Sequence, residues 1–152
     1  MSVELKCTYT TPHCESDFAA NVLWVSRHPP IRVQIVELEN KLGCINLFQL
    51  SGTIPNAEFV MEKAKEINAE VIVPVLPLSF VARLSELCRK EGITLLWAEM
   101  EQRDILPHEP VPGEDYNPDC EVWIKGYENT YKIMRFVAFR KIKAVKLELE
   151  DW

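Results

Sequence analysis

Hydrophobic and polar positions follow two different periods in this chain from Ala20 onward. Short apolar and β-branched runs alternate with stretches in which apolar residues recur every three or four positions. The short runs are typical of strands buried in a sheet, and the longer spacing is typical of helices with one buried face. Strands that alternate with helices predict βαβ units and a parallel sheet.

The alternation predicts four strands with three helices between them. The first helix has an apolar stripe from Ile31 to Leu42 and ends at Gly43. Pro74 has no N–H to donate to a neighbouring strand, so we expect the regular part of the third strand to stop near Val73. The predicted strands cover residues 21–25, 44–50, 70–76 and 93–98, and the predicted helices cover residues 31–42, 55–67 and 77–91.

The C-terminal third lies outside this repeat. Residues 101–119 hold four of the ten prolines and many acidic residues without a clean period, so we interpret 100–119 as a loop or lid. Residues 122–127 and 133–150 predict a hairpin or meander. The segment 120–152 is therefore expected to be an antiparallel C-terminal β extension.

The length of the chain allows one hydrophobic core. At 152 residues with 47% hydrophobic content, the chain is too short for two ordinary domains. We expect a single domain over 1–152, with its βα core at 20–99 and another antiparallel strand at 3–9. The apolar runs stop well short of the roughly 20 residues that cross a bilayer, and no signal-peptide pattern opens the chain, so we expect a soluble protein without a membrane partner.

Cysteine usage predicts a reducing compartment. The five cysteines are an odd number, widely spaced and without a Cys-x-x-Cys pair, which argues against a disulfide framework. We therefore expect the protein to be cytoplasmic. Cys7, His13 and Cys14 lack the four-ligand spacing of a structural zinc site, so no metal is expected.

The charge of the chain limits which nucleic acids it can bind. A formal net charge of −6 disfavours DNA and long RNA, whose binding depends on many contacts between basic residues and phosphates. A small anionic ligand is compatible with this charge, because one or two arginines and a helix N-terminus can hold a phosphate. The basic residues of 132–146 lie among aromatic residues, which leaves nucleic-acid contact as an alternative to a solvated strand face.

Three polar segments follow the predicted parallel strands. Ligands of open α/β sheets bind beyond the carboxyl ends of the strands, where loops lead into helices. These segments supply hydroxyls, one fixed cation and one imidazole, a set that suits phosphate and ribose. They are Ser26-Arg27-His28-Pro29, Ser51-Gly52-Thr53 and Leu76-Pro77-Leu78-Ser79. The alternative interpretation is structural, with a helix-capping loop in the first segment, an ordinary turn in the second and a helix start in the third.

The chain lacks the motifs of several common enzyme classes. It has no Gly-x-Gly-x-x-Gly and no Gly-x4-Gly-Lys-Ser/Thr, so dinucleotide oxidoreductases and P-loop enzymes lose their main sequence support. Gly-x-Ser-x-Gly is also missing, which removes the usual signal of an α/β-hydrolase. We interpret Glu99 and Glu101 as a solvated strand end, with an acid/base role as the alternative. No cofactor is expected.

Two short motifs resemble those of a known family. The segment 25–29, Val-Ser-Arg-His-Pro, closes the first strand, and the segment 75–79, Val-Leu-Pro-Leu-Ser, opens a helix. Both resemble the small stand-alone CRISPR-associated proteins of type III systems, over residues 21–98. The resemblance implies a three-layer, Rossmann-like core of the CARF type with about four parallel strands, and it implies that the chain binds or cleaves a cyclic oligoadenylate second messenger as a ring nuclease. The chain departs from that family in its longer N-terminal arm and its C-terminal β extension.

The resemblance also implies roles for the strand-end residues. Arg27 would neutralise a phosphate, and His28 would move a proton to or from the ribose 2′-OH or the leaving oxygen. Cleavage would need no metal, and a C2 homodimer would match a ligand ring with two-fold symmetry. The remaining ligand-binding residues would be Ser26, Ser51, Gly52, Thr53, Pro77 and Ser79. Two alternatives stay open, namely a non-catalytic module that senses or sequesters a small nucleotide, and a protein-interaction domain.

Overall fold

The computed structural model describes residues 2–14 and 18–152. The chain divides into two units by its contacts. The first unit contains Met1–Pro29, Cys44–Trp97 and Lys141–Trp152, and the second contains Pro30–Gly43 and Ala98–Arg140. Among the described residues, no helix is long and apolar enough to cross a membrane.

Strands and helices alternate through most of the described sequence, as the hydrophobic pattern predicts. The strands are β1 (Glu4–Thr10), β2 (Ala20–Val25), β3 (Ile45–Ser51), β4 (Val71–Pro74), β5 (Thr94–Leu106), β6 (Glu121–Lys125) and β7 (Tyr131–Lys141). The helices are α1 (Arg32–Leu42), α2 (Ala57–Glu66) and α3 (Leu78–Glu91).

β2 is the central strand of the first unit. It pairs in parallel with β3 on one side and with β4 on the other, so that Leu23 lies between Phe48 and Ile72. β5 follows β4 in parallel, and β1 pairs antiparallel with the other edge of β3. The strand order of this unit is therefore β1-β3-β2-β4-β5, a mixed sheet in an α/β protein. The predicted parallel strands and the predicted antiparallel N-terminal strand are confirmed.

The apolar run of β2 is buried on both faces of the sheet. Val22, Leu23, Trp24 and Val25 are each at most 3% exposed, as expected for a strand inside a parallel sheet. On one face the sheet packs beneath α2 and α3, which contact each other. The core on that face includes Leu23, Val25, Leu50, Ile72 and Leu95 from the strands, and Val60, Ala64, Leu84 and Cys88 from the helices.

Local sequence signals set the ends of these helices. The Asn56 side chain accepts a hydrogen bond from the Phe59 N–H at 2.8 Å, which caps α2. Pro77 precedes the first turn of α3, and Gly92 ends the helix with φ of 69°, in the left-handed region. The predicted helices agree with the observed ones to within two residues. β4 ends at Pro74, one residue beyond the predicted stop, because a strand can end on a residue without an N–H.

The second unit contains α1, the C-terminal half of β5, and the β6–β7 hairpin. Its strands lie in the order β5-β7-β6, and β6 pairs antiparallel with β7, with Glu121 opposite Arg135. The Val33 N–H donates to the Asp119 carbonyl at 2.9 Å, which joins α1 to the loop before β6. The predicted C-terminal hairpin is confirmed.

β5 is longer than the sequence predicts. The strand continues to Leu106, although residues 101–119 were expected to lie outside regular structure. Two ion pairs hold this half of β5 against β7. They join Glu99 to Arg140 and Glu101 to Arg135. Because the paired side chains are charged and largely exposed, no apolar period marks this part of the strand in the sequence.

The last strand is shorter than the sequence predicts. β7 ends at Lys141, and residues 142–150, expected to continue it, have no regular secondary structure. The Ile142 N–H donates to the Leu95 carbonyl at 2.8 Å, and Ile142 and Val145 pack against the core of the first unit. Ile142 and Val145 therefore anchor the start of this segment, whereas the apolar residues further along it, Leu147 and Leu149, are exposed.

Cys14 and Cys44 form a disulfide, which cysteine spacing did not predict. The two residues are 30 positions apart in sequence, but antiparallel pairing of β1 with β3 brings their surroundings together. The Thr11 N–H donates to the Ile45 carbonyl at 3.0 Å, and the Thr11 hydroxyl accepts from the Ile45 N–H at 2.9 Å. The spacing of the cysteines argued against a disulfide framework and did not indicate this bond, because the register of the sheet and not the sequence spacing decides which thiols meet.

A carboxylate, Glu121, is buried in the second unit. It is 5% exposed, pairs with the Arg103 guanidinium and accepts from the Asn117 N–H at 2.9 Å. Arg103 also donates to the Asp115 carbonyl at 2.9 Å. Arg103 holds the pKa of the Glu121 carboxyl below its ordinary value, and the Asn117 N–H adds to this effect against the opposing effect of burial. The segment predicted as a loop or lid is thus fastened to the ends of β5 and β6.

We expect Arg103→Met to destabilise the protein by about 2–3 kcal/mol, because the Glu121 carboxylate would stay buried without its cation. Chemical denaturation of the wild type and the variant measures this difference. Arg140→Met removes a more exposed pair with Glu99 and is the matched control, with an expected loss below about 1 kcal/mol. Equal losses in the two variants would contradict the burial argument.

The same network predicts sensitivity to acid. Because the pKa of Glu121 is lowered in the folded state, its contribution to stability is complete above the ordinary value of 4.5 and is lost as the pH falls through the folded value. Below the ordinary value of 4.5, the free energy of unfolding should therefore fall more steeply with decreasing pH in the wild type than in Arg103→Met. Denaturation curves recorded from neutral pH to about pH 3 test this, and parallel curves for the two proteins would refute it.

Candidate functional site

The carboxyl ends of β3, β2 and β4 meet at one edge of the sheet in the first unit. After β2 the chain continues to β3 on one side, whereas β4 lies on the other side and leads away to β5. The connections that follow β2 and β4 therefore diverge, and in open α/β sheets such a point leaves a crevice that binds ligands. The polar segments selected from the sequence follow these strands.

A cleft of about 250 Å³ opens at this point. It brings together five of the eight predicted site residues, namely Ser26, Arg27, His28, Ser51 and Gly52. The lining that the structure describes leaves out Thr53, Pro77 and Ser79, and the third segment contributes Val75 and Leu76 instead. The strand ends of β2 and β3 thus form the polar part of the cleft, and the end of β4 forms an apolar wall.

Sequence reasoning missed this apolar lining. It consists of Val25, Leu50, Ile54, Val75 and Leu76. Val25 and Leu50 are the last buried positions of β2 and β3, and the Val75 N–H donates to the Val25 carbonyl at 2.9 Å. Position along the strand could have predicted these residues. The last apolar residue before each polar segment lies where the ends of neighbouring strands face one another.

Four hydrogen bonds fix the backbone of the first segment. The Ser26 N–H donates to the Leu50 carbonyl at 3.1 Å, and the Gln49 amide donates to the Ser26 carbonyl at 2.8 Å. The Ser26 hydroxyl oxygen accepts from the His28 N–H at 3.1 Å. The indole N–H of the buried Trp24 donates to the His28 carbonyl at 2.9 Å. The turn after β2 is therefore held from the strand beside it and from the sheet below it.

The side chains on this fixed turn point to solvent. Arg27 and His28 are exposed, and the described part of the chain provides no ion-pair partner for either. Ser26 uses its oxygen as an acceptor, so its O–H remains a donor for a ligand. Arg27 is the only cation among the described residues that line the cleft. The arrangement offers one fixed positive charge, one imidazole and two hydroxyls over an apolar floor.

Backbone conformation and close packing explain why residue 52 is a glycine. Its φ is 109°, which L side chains rarely adopt, and a Cβ there would meet the Ser2 carbonyl oxygen at 2.7 Å and the Val3 Cα at 3.0 Å. The glycine therefore lets the N-terminal segment run past the end of β3.

The other candidate groups have different roles. Cys14 is in a disulfide and cannot serve as a thiolate ligand, and among the described residues no three His, Cys, Asp or Glu side chains are grouped to hold a metal. Glu99 and Glu101 pair across strands with Arg140 and Arg135. These pairs favour the interpretation of the two glutamates as part of a solvated strand face.

Comparison with known proteins gives no match to a family model, to a curated protein or to a solved structure.

We expect Gly52→Ala to destabilise the protein by about 3 kcal/mol, because it combines backbone strain with a clash against the N-terminal segment. Gly113→Ala is the matched control, since Gly113 also has positive φ, at 84°, but has open space around its Cβ position. The control should cost only about 1 kcal/mol. Thermal or chemical unfolding of both variants measures the difference. A Gly52→Ala protein as stable as the control would contradict the prediction, because it would show that the N-terminal segment moves away from the new Cβ without a loss of stability.

Proposed function

We propose that the strand-end cleft binds a cyclic oligoadenylate and that the protein cleaves this ligand without a metal. The observation that carries the proposal is the placement of Ser26, Arg27, His28 and Ser51 around one cleft at the carboxyl ends of β2 and β3. The order β3-β2-β4-β5, with the first parallel strand in the centre, supports a Rossmann-like core of the CARF type. The resemblance of residues 25–29 and 75–79 to type III CRISPR-associated proteins narrows the nucleotide to the cyclic messenger.

The charges of the cleft support a phosphate ligand. Arg27 places a permanent guanidinium on a rigid turn, and a guanidinium matches phosphate oxygens in geometry as well as in charge. No carboxylate occurs among the described lining residues, so nothing there opposes an anion. The hydroxyls of Ser26 and Ser51 add hydrogen-bond donors for phosphate or ribose oxygens.

The chemistry needs only the ligand and these side chains. The ribose 2′-OH attacks the adjacent phosphorus, the bond from phosphorus to the 5′-oxygen breaks, and the product ends in a 2′,3′-cyclic phosphate. The proton of the 2′-OH leaves and the 5′-oxygen gains one, and His28 is the cleft residue suited to carry out one of these transfers. Arg27 stabilises the negative charge that develops on the phosphate oxygens. The fixed backbone of the first segment supplies the orientation.

The size of the cleft supports a homodimer. A volume of about 250 Å³ falls below the range of about 300–1,000 Å³ that small-molecule sites occupy. A cyclic oligonucleotide is larger than such ligands, so one cleft can hold only part of the ring. Two copies related by a two-fold axis would present two equivalent clefts to one two-fold ligand.

The cleft also favours a second candidate, a sensor that binds the nucleotide without cleaving it. Its described lining contains one imidazole and no carboxylate, so it offers a single side chain for two proton transfers. A module of the same fold that senses or sequesters a nucleotide would need Arg27 and the hydroxyls but not the imidazole.

Incubation of the protein with labelled cyclic tetra-adenylate in EDTA tests the proposal. We expect linear products with 2′,3′-cyclic phosphate ends, and a loss of about 10²-fold or more in turnover for His28→Ala and for Arg27→Ala. The matched controls are His13→Asn and Arg32→Ala, which change exposed residues outside the cleft lining and should leave turnover unchanged.

The same samples separate the candidates. A ligand that raises the melting temperature but stays intact would establish the sensor and overturn cleavage. Turnover that survives both cleft substitutions would assign the chemistry elsewhere. The absence of turnover and of any melting shift with the cyclic ligand would overturn both candidates and favour a protein-interaction domain.

A further inference from the structure

A second cleft lies at the other end of the sheet in the first unit, where β5 begins. Its volume is about 370 Å³, within the range of about 300–1,000 Å³ typical of small-molecule sites. The last turns of α3, the start of β5, and the end of β7 with the two residues after it form its walls. The lining residues are Ser85, Cys88, Arg89, Gly92, Ile93, Thr94, Leu95, Lys141, Ile142 and Lys143.

The charge of this cleft differs from that of the chain. Arg89, Lys141 and Lys143 line it, and no carboxylate does so among the described residues, although the protein carries a net charge of −6. A basic residue near the end of a helix is ordinarily explained by the helix dipole, and this accounts for Arg89. The helix dipole does not account for the two lysines, which lie at the end of β7 and two residues further along the chain.

The backbone positions these three cations together. The Ile142 N–H donates to the Leu95 carbonyl at 2.8 Å, which holds the segment after β7 beside β5. Lys141 and Lys143 flank Ile142, and all three residues line the cleft. The Arg89 guanidinium donates to the Lys143 carbonyl at 3.5 Å, so it reaches across the cleft from α3.

The floor of the cleft is apolar and uncharged. Cys88 and Leu95 are each 2% exposed, and Ile93 lies beside them. Burial raises the pKa of the Cys88 thiol to about 12, so this group stays neutral and adds no negative charge. The carbonyl of Cys88 already accepts from the N–H groups of Gly92 and Ile93. A ligand here would meet apolar surface below and positive charge at the rim.

We propose that this second cleft binds a small phosphate monoester with an apolar or aromatic body. Three cations in a cleft whose described lining has no carboxylate suit a group of about two negative charges, such as a phosphate monoester near neutral pH, better than a singly charged carboxylate. The apolar floor suits the body that carries the phosphate. The proposal does not depend on the function of the strand-end cleft.

Residue-resolved NMR titration of the full chain tests this site, with adenosine monophosphate as the probe. We expect saturable shifts of the Thr94 and Lys143 amide signals. Adenosine and inorganic phosphate, which carry only one half of the proposed chemistry each, should bind about tenfold more weakly or worse. Lys141→Gln combined with Lys143→Gln should weaken the binding of the probe about tenfold. Lys90→Gln is the matched control, since Lys90 precedes the helix end but does not line this cleft.

Four results would overturn the proposal. The first is no saturable shift at Thr94 or Lys143 with about 10 mM probe. The second is equal affinity in the double lysine variant and the Lys90→Gln control. The third is adenosine binding as tightly as the monophosphate, which would show that the cations are not used. Shifts confined to Ser26 and Ser51 would place the probe in the strand-end cleft alone, which supports the proposed function and overturns this second site.

Discussion

The parallel pairing of β2 with both of its neighbours is the constraint on which the described site depends. The strand is buried on both faces, and its hydrogen-bonding groups are shared between β3 and β4. An unpaired backbone N–H or carbonyl in this buried strand would cost about as much free energy as a lost hydrogen bond. The pairing of β2 with β3 and β4 is therefore strongly determined. This pairing brings the carboxyl ends of β3, β2 and β4 to the same edge of the sheet. The segments that follow the three strands therefore lie close together at that edge.

This constraint explains why the cleft has a polar side and an apolar side. Ser26 continues the pairing of β2 with β3 for one more residue, since its N–H donates to the Leu50 carbonyl at 3.1 Å. Trp24 and Gln49 then hold the carbonyls of the turn, so Arg27 and His28 extend from fixed backbone. The end of β4 reaches the cleft through Pro74, which has no N–H, and contributes only apolar contacts there. The cleft therefore combines a preorganised charge and an imidazole with apolar surface.

The sequence predicted the parts of this protein that depend on local chemistry. The helix starts at Asn56 and Pro77 and the helix end at Gly92 each follow from one residue. Asn56 supplies a side-chain hydrogen-bond acceptor, Pro77 a fixed φ and Gly92 a left-handed φ. The segments that follow β2 and β3 were selected for the cleft because the residues at each strand end also determine where the strand stops.

The predictions that were wrong or incomplete concern features that depend on partners distant in sequence. The charged half of β5 exists because β7 pairs with it, and Cys14 meets Cys44 because β1 lies beside β3. Ser79 has a residue type that suits the cleft but lies inside α3, beyond the last lining residue Leu76. Thr53 is not part of the described lining, although its neighbours Gly52 and Ile54 are.

The two clefts of the first unit lie at opposite ends of the same parallel strands. One is lined by Val75, just beyond the end of β4, and the other by Thr94, which pairs with Val71 at the start of β4. A strand of four residues spans about 13 Å, whereas charges in solution at physiological ionic strength are screened over about 8 Å. The charge of a ligand in one cleft is therefore largely screened from the other. Coupling between the clefts would have to pass through the shared strands, and a sheet whose register is fixed by burial on both faces has little freedom to transmit it.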